Sequence, residues 1–260
     1  TIIYDEKKDV YGMSYVEVST GRFYMQELCS KNLSSEIERI SPSEIISLIP
    51  FFDILSTELP SGNIKYVKVN DFNYQKSKKH LLSHFKVSEL SVYGIENESS
   101  GIISSSLAIK YIEDKHKHSL TSIKKINVFK NKEYLQLDSN TRRNLEINET
   151  FSGEKDGTLL SVINTCSTSM GSRNLKRWIN SPLRNKSIIE DRLDAVQELS
   201  EYPNNIIEYL ESIVDVERIL GRISLNSARP RDLLNLKCFL KELTLIKKEL
   251  NKYNSKKLIK

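Results

Sequence analysis

The stretch TSMGSRNLKRWINSPL, residues 168–183, decides how the second half of this chain is read. It holds the single tryptophan, Trp178, and sets a glycine and an arginine where an ordinary amphipathic helix needs neither. Thr168 can cap a helix, because its hydroxyl accepts from an amide that lacks an intrahelical partner. Met170, Leu175, Trp178 and Ile179 then share an apolar face, with Trp178 as its largest packing element. Gly171 in the first turn costs about 1 kcal/mol relative to alanine, which a close crossing by a neighbouring helix would offset. Arg173 and Arg177, four apart, share another face and can pair with carboxylates or a neighbouring domain. Pro182 stops the helix. The expectation is a closely packed helical joint that passes motion between domains.

Working outward, the rest of this half also reads as helix. Leu159, Leu160, Val162, Ile163 and Cys166 form one apolar face, and Ile189, Leu193, Val196 and Leu199 follow at helical spacing. After Ala228-Arg229-Pro230 a longer helix starts, with proline at an opening position and Asp232 in the first turn, where a negative charge suits the helix dipole. Its stripe of Leu233, Leu236, Leu240, Leu243 and Leu250 reads as a partner-binding seam or, more simply, as core.

The first half alternates instead. Tyr11–Val18 and Arg22–Cys29 are two period-two runs around Ser19-Thr20-Gly21, a hairpin signal. Ser35 with Glu38 three residues later predicts a capping box. Glu44–Ile49 reads as helix or strand, and Lys65–Val69 as strand. Helices are expected over Tyr74–Phe85 and Gly101–His116, and an extended segment over Ile126–Leu137. Strands mixed with helices indicate an α/β layer domain. The predicted boundary is Leu137-Asp138: an α/β domain over residues 1–137 and an all-α helical domain over 138–260, opened by a cap at Asp138 or Ser139.

Composition narrows the function classes. The chain has 260 residues, 38% hydrophobic and 28% charged, with no apolar run approaching a membrane span. Residues 1–137 hold 18 Lys+Arg against 17 Asp+Glu, and residues 138–260 hold 21 against 17. The signs are interleaved, whereas a surface that tracks phosphates shows a single-sign patch. Cys29, Cys166 and Cys238 are too few and too scattered for a disulfide framework; they fit a reducing cytoplasm and are expected to pack as small apolar residues.

Catalytic and metal signatures are weak. None of the nine glycines is followed by lysine, so no Walker A loop is present. His80 and His84 have a chelating spacing, but no third ligand stands near them and Lys78 and Lys79 would repel a cation. His116 and His118 sit at a lysine-rich helix end and read as solvated. Glu17 and Asp71 could serve a two-metal nuclease of ribonuclease-H type, yet no compact acidic constellation follows, and Glu17 is more simply a hairpin residue. No catalytic, cofactor-binding or metal-ligating residue is assigned.

At residues 168–183 the pattern T-x-M-G-x-R-x-L-K-R-W-I-x-x-P-L resembles the core-domain signature of the MutS family of DNA mismatch-repair proteins. Ser19-Thr-Gly-Arg-Phe23 is similar to that family's connector hairpin, although Glu17 stands where an aspartate is usual. Tyr93-Gly94 to Gly101 resembles the connector lead-in. Thr141-Arg-Arg-Asn-Leu-Glu-Ile147, Thr158-Leu-Leu-Ser-Val162 and Arg192-Leu-Asp-Ala-Val196 fit the start of the core. Asp215-Val-Glu-Arg-Ile219 and Ala228-Arg-Pro-Arg-Asp-Leu233 complete it. The resemblance covers essentially the whole chain, in the family's order.

It implies a ribonuclease-H-like α/β connector domain followed by the first part of an all-α core and lever. It also implies an allosteric relay in a cytoplasmic, homodimeric parent that binds mismatched DNA, uses ATP and Mg²⁺, and recruits MutL. The structural joint would comprise Thr168, Met170, Gly171, Arg173, Leu175, Trp178, Pro182, Arg229, Pro230, Arg231 and Asp232. The family's mismatch-reading Phe-x-Glu matches none of the eight phenylalanines here. Its clamp and P-loop domain would lie beyond Lys260, so no cofactor is expected in this chain itself. A paralogue that lacks the mismatch-reading domain is the alternative reading.

Overall fold

A computed structural model describes residues 1–48, 65–69, 73–95, 98–115, 120, 122–130, 133–201 and 206–253. The chain forms two compact units, Thr1–Lys130 with Ser224–Asn226, and Asn131–Ile223 with Ser227–Lys260.

The first unit is built on a six-stranded sheet. Its strands are β1 (Ile2–Asp5), β2 (Val10–Glu17), β3 (Arg22–Leu28), β4 (Glu44–Leu48), β5 (Lys65–Val69) and β6 (Asn127–Val128), in the order β5-β4-β1-β2-β3-β6. β1, β2 and β3 are antiparallel neighbours; β4 lies parallel to β1, β5 parallel to β4, and β6 parallel to β3. The helices are α1 (Leu33–Ile40), α2 (Tyr74–Phe85) and α3 (Ser99–Lys115).

Strand alternation assigns each side chain to a layer. Ile2, Tyr11, Met13, Leu28 and Ile45 pack with Leu33 and Ile37 of α1. Ile3, Ile46 and Leu48 pack with Leu107 of α3, while Phe23 and Met25 join Leu81 of α2 and Ile102 and Ile109 of α3. Burial on both faces explains why Glu44–Leu48 is an apolar run rather than an alternating one, and resolves it as a strand.

Helix α3 lies close on β2 because the facing residues are small. Ser14 and Ser104 are fully buried, and a Cβ on Gly12 would stand 2.1 Å from the Ser100 carbonyl carbon. The Glu27 carboxylate on β3 accepts from the amides of Ser100 at 2.9 Å and Gly101 at 3.1 Å, and from the Ser100 hydroxyl. It thereby satisfies amides at the helix start and places a negative charge against the positive end of the dipole.

Several expectations change here. The capping box at Ser35 and Glu38 does not form: α1 begins at Leu33, with Asn32 at the N-cap and no side-chain cap bond. The chain enters it through a 3₁₀ turn, Ser30–Asn32, so helical geometry is established before Ser35. Strand β1 is not signalled by pattern, since three apolar residues run straight into DEKKD. Of the expected extended segment Ile126–Leu137, Asn127–Val128 is strand and Tyr134 makes one further bridge, to Leu183. Asp71, His116 and His118 lie outside the described residues.

The second unit is helical: α4 (Ser139–Asn144), α5 (Leu159–Ile163), α6 (Ser169–Asn180), α7 (Lys186–Glu201), α8 (Ile206–Ser212), α9 (Val216–Ser224) and α10 (Pro230–Leu250). Asp138 caps α4 by accepting from the Thr141 amide. The expected core faces are only partly covered. Ile147, Ala195, Val216, Ile219 and Ile246 are buried, but Val162, Leu193, Val196, Leu233 and Leu240 are exposed. Cys29, Cys166 and Cys238 are exposed too, against the expectation of burial. Cys166 follows α5 by three residues, and Cys238 lies on α10. No helix among the described residues is long and apolar enough to cross a membrane.

Candidate functional site

Helix α6 is the quoted stretch, and it starts and stops where the sequence predicts. The Thr168 hydroxyl accepts from the Gly171 amide at 2.9 Å, and the helix ends at Asn180, two residues before Pro182. Gly171 departs from expectation. The atoms nearest to a Cβ there belong not to a crossing helix but to Thr168 and Cys166: the Thr168 Oγ1 at 2.9 Å and the Cys166 Cβ at 3.4 Å. The glycine therefore leaves room for its own cap.

This changes the expected effect of Gly171→Ala. Alanine gains about 1 kcal/mol of helix propensity, while displacing the cap hydroxyl forfeits about 1 kcal/mol. The single variant should lie near wild type in its denaturant midpoint. In a Thr168→Ala background the clash is gone, so the same change should stabilise by about 1 kcal/mol. A Gly171→Ala effect that is equal in both backgrounds would show that the glycine and the cap are independent.

Trp178 also departs from expectation, being 43% exposed rather than a core residue. The Arg192 guanidinium of α7 stacks over its ring at 3.8 Å, so the indole holds α7 by a cation–π contact. Met170 and Leu175 are half-buried.

The polar residues of α6 make the stronger ties. Arg173 forks onto Asp215, at 2.6 and 2.8 Å, and reaches Glu217 at 2.8 Å. Asp215 sits just before α9 and also accepts from the Arg218 amide at 3.2 Å, so one carboxylate caps α9 and binds α6. The guanidinium beside Asp215 holds its carboxyl below the usual range, and the carboxylates in turn hold the Arg173 proton more firmly. Arg177 turns back onto Asn174 within the helix at 3.0 Å.

At the far end of α6, Asn180 is buried. Its side-chain oxygen accepts from Arg142 Nη1 at 3.1 Å, and its backbone carbonyl from Arg142 Nη2 at 2.9 Å. Asn148 and Asn180 exchange a reciprocal amide pair at 2.7 and 3.0 Å. Beyond the helix, Leu135 donates to the Pro182 carbonyl at 2.7 Å and Arg184 to the Glu133 carbonyl at 3.0 Å. Arg142, Asn148 and Asn180 were not among the expected joint residues; an arginine in Thr141-Arg-Arg-Asn and an asparagine closing a helix carry no periodic signal.

The second expected group, Arg229, Pro230, Arg231 and Asp232, opens α10. Pro230 is its first residue, and Asp232 accepts from the Arg229 amide at 3.0 Å. Asp232 is buried and is also gripped by Arg222 of α9, at 2.6 and 2.9 Å, which lowers its pKa to about 2. Arg231 is exposed. The structure thus brings the two groups of joint residues onto one helix: α9 is tied to α6 at its start and to α10 at its end.

The metal and nuclease candidates find ordinary partners. His80 contacts Ser106 at 2.9 Å and Glu113 at 3.0 Å, and His84 contacts the Ile123 carbonyl at 3.1 Å. Each ring is thereby engaged in packing α2 against α3 and the segment after it. Glu17 accepts from the Thr20 hydroxyl at 2.8 Å within the hairpin.

Comparison with known families agrees with both units. Residues 1–124 match the model of MutS domain II, and residues 140–260 match that of MutS domain III. A DNA mismatch repair protein MutS from Halothermothrix orenii is 38% identical over 262 residues. That match covers 96% of this chain and 29% of the relative's length. With the signature helix, the hairpin and both domain models in one order, this chain belongs to the MutS family and carries its domains II and III.

Proposed function

We propose that the chain acts as a relay between the DNA-reading and nucleotide-binding parts of a MutS-type mismatch-repair protein, with no catalysis of its own. Under this reading the protein carrying it is a cytoplasmic homodimer that binds mismatched DNA and ATP with Mg²⁺ and recruits MutL. The family match over both units carries the reading. Two features of the fold support it. The order β3-β2-β1-β4-β5, with the first three strands antiparallel, supports a ribonuclease-H-like connector. The exposed leucines of α7 and α10 support a core that packs against further protein.

A relay without its own DNA reader should bind duplex only through phosphate attraction. Titration with labelled duplex should give a dissociation constant of roughly 10⁻⁴ to 10⁻⁶ M at physiological salt, equal for a G·T-mismatched duplex and its matched control. Mg-ATP should leave the thermal transition unmoved, as no glycine is followed by a phosphate-binding lysine. A clear preference for the G·T duplex, or a thermal shift that saturates with nucleotide, would overturn the assignment.

A further inference from the structure

We propose that the antiparallel bridge between Glu133–Leu135 and Pro182–Arg184 is a latch that couples helix α6 to the segment joining the two units. The proposal rests on the relay reading and names the residues through which a relay would act.

Position is the first argument. The first division between the units falls after Lys130, so residues 133–137 open the helical unit just past that covalent link. A passive linker leaves its backbone to water. Here the Leu135 amide donates to Pro182 and the Glu133 carbonyl accepts from Arg184, with Tyr134 opposite Leu183. Two residues on, the Leu137 carbonyl accepts from Arg142 Nε at 3.2 Å.

Arg142 makes the coupling specific. One guanidinium, 8% exposed, bonds the linker carbonyl through Nε and the end of α6 through both Nη atoms. The Asn148–Asn180 amide pair fixes the orientation of the Asn180 side chain. A displacement of Asn180 would break bonds to Arg142, and the same arginine holds Leu137. Removing a partner from a buried polar group is costly, so the linker and the helix end move together or not at all.

The other end of α6 supplies the input. A helix of 12 residues is a rod of about 18 Å. It is gripped near its start by Arg173 on Asp215 and Glu217, and α9 passes the tie on to α10 through Arg222 and Asp232. A rod held at two points transmits a shift of one to the other. Spatial continuity alone does not establish coupling, so the claim needs a measurement of it.

Amide hydrogen exchange on this chain provides one, in wild type, Arg173→Ala and Asn180→Ala. The latch predicts that either substitution speeds exchange at the Leu135 and Arg184 amides about tenfold beyond the change at mid-α10 amides, which report the stability of the unit as a whole. Arg173→Ala is the decisive variant, as it lies away from the bridge. If Leu135 and Arg184 accelerate no more than mid-α10 in Arg173→Ala, the latch is overturned. Should Arg173→Ala fail to fold, Arg173→Lys keeps the charge, loses the fork and serves the same comparison. No nucleotide or DNA enters the experiment. Its failure therefore removes the latch and leaves the relay reading to stand or fall on DNA and ATP binding.

Discussion

Gly12→Ala is expected to dismantle the first unit while leaving the second folded. The added Cβ would stand 2.1 and 2.2 Å from the carbonyl carbon and oxygen of Ser100 and 2.5 Å from the Gly101 nitrogen. All three are backbone atoms, so no rotamer change relieves the contact, and α3 has to move off β2. That movement would pull the Ser100 and Gly101 amides from Glu27 and open the layer in which Ile102 and Ile109 are buried. The loss should reach about 3 kcal/mol or more, at the upper end for overpacking.

The expected signature is specific to one unit. The strand signal in circular dichroism and the slow amides of β1 and β2 should be lost, while the Trp178 fluorescence transition keeps its wild-type midpoint. Gly94→Ala is the control: its φ of +73° strains an alanine, but nothing lies within 4 Å of the new methyl. The control should cost about 1 kcal/mol through backbone strain alone. A Gly12→Ala chain as stable as wild type would mean that α3 does not seat on β2 as described.

Arg173→Ala should destabilise the helical unit by about 2 kcal/mol, the scale for hydrogen bonds to charged groups. Arg173, Asp215 and Glu217 are all largely shielded, with side chains 20%, 20% and 30% exposed. Removing the guanidinium takes the fork from Asp215, which keeps Arg218 at 3.5 Å, and takes the Arg173 bond from Glu217. Arg173→Lys should recover only part of the loss, because an ammonium cannot reproduce the fork onto Asp215.

Acid supplies a second test. Asp215 is depressed in the folded chain, first by its bonds to Arg173. A depressed carboxyl contributes stability above its unfolded pKa, about 3.9, and loses it as pH falls through the folded value. The gap between wild type and Arg173→Ala should therefore be full at neutral pH and close as pH falls below about 4. Asp232, with its pKa lowered to about 2 by Arg222, should give up its contribution in both proteins over the range down to that value. Denaturant midpoints followed through Trp178 across this range measure both. A gap that persists undiminished into acid would show that Arg173 stabilises by packing and not through Asp215.

Much of this was legible before any coordinates. The hairpin of Tyr11–Val18 and Arg22–Cys29 rests on period-two runs around a glycine turn, and both ends of α6 rest on a capping hydroxyl and a proline. These are local rules, fulfilled within a few residues of where they are written. Asp232 was legible as a helix-opening carboxylate and Asp215 only as part of a family motif; neither reading gave the arginines that reach them.

Local rules failed where the partner was remote or absent. Trp178, Leu193 and Leu240 have the spacing of buried residues, yet periodicity states which face is apolar and not what covers it. Gly171 reads as a crossing point from propensity alone, and its own cap turns out to be the nearest neighbour. The converse holds for Gly12, unremarkable inside a strand pattern, whose missing methyl admits a helix nearly ninety residues further along. Sequence by itself determined most element types, the caps at Asp138 and Thr168, and the family. Tertiary structure decided which glycine bears a helix and which arginine clasps the linker, because both depend on atoms brought together across long separations in the chain.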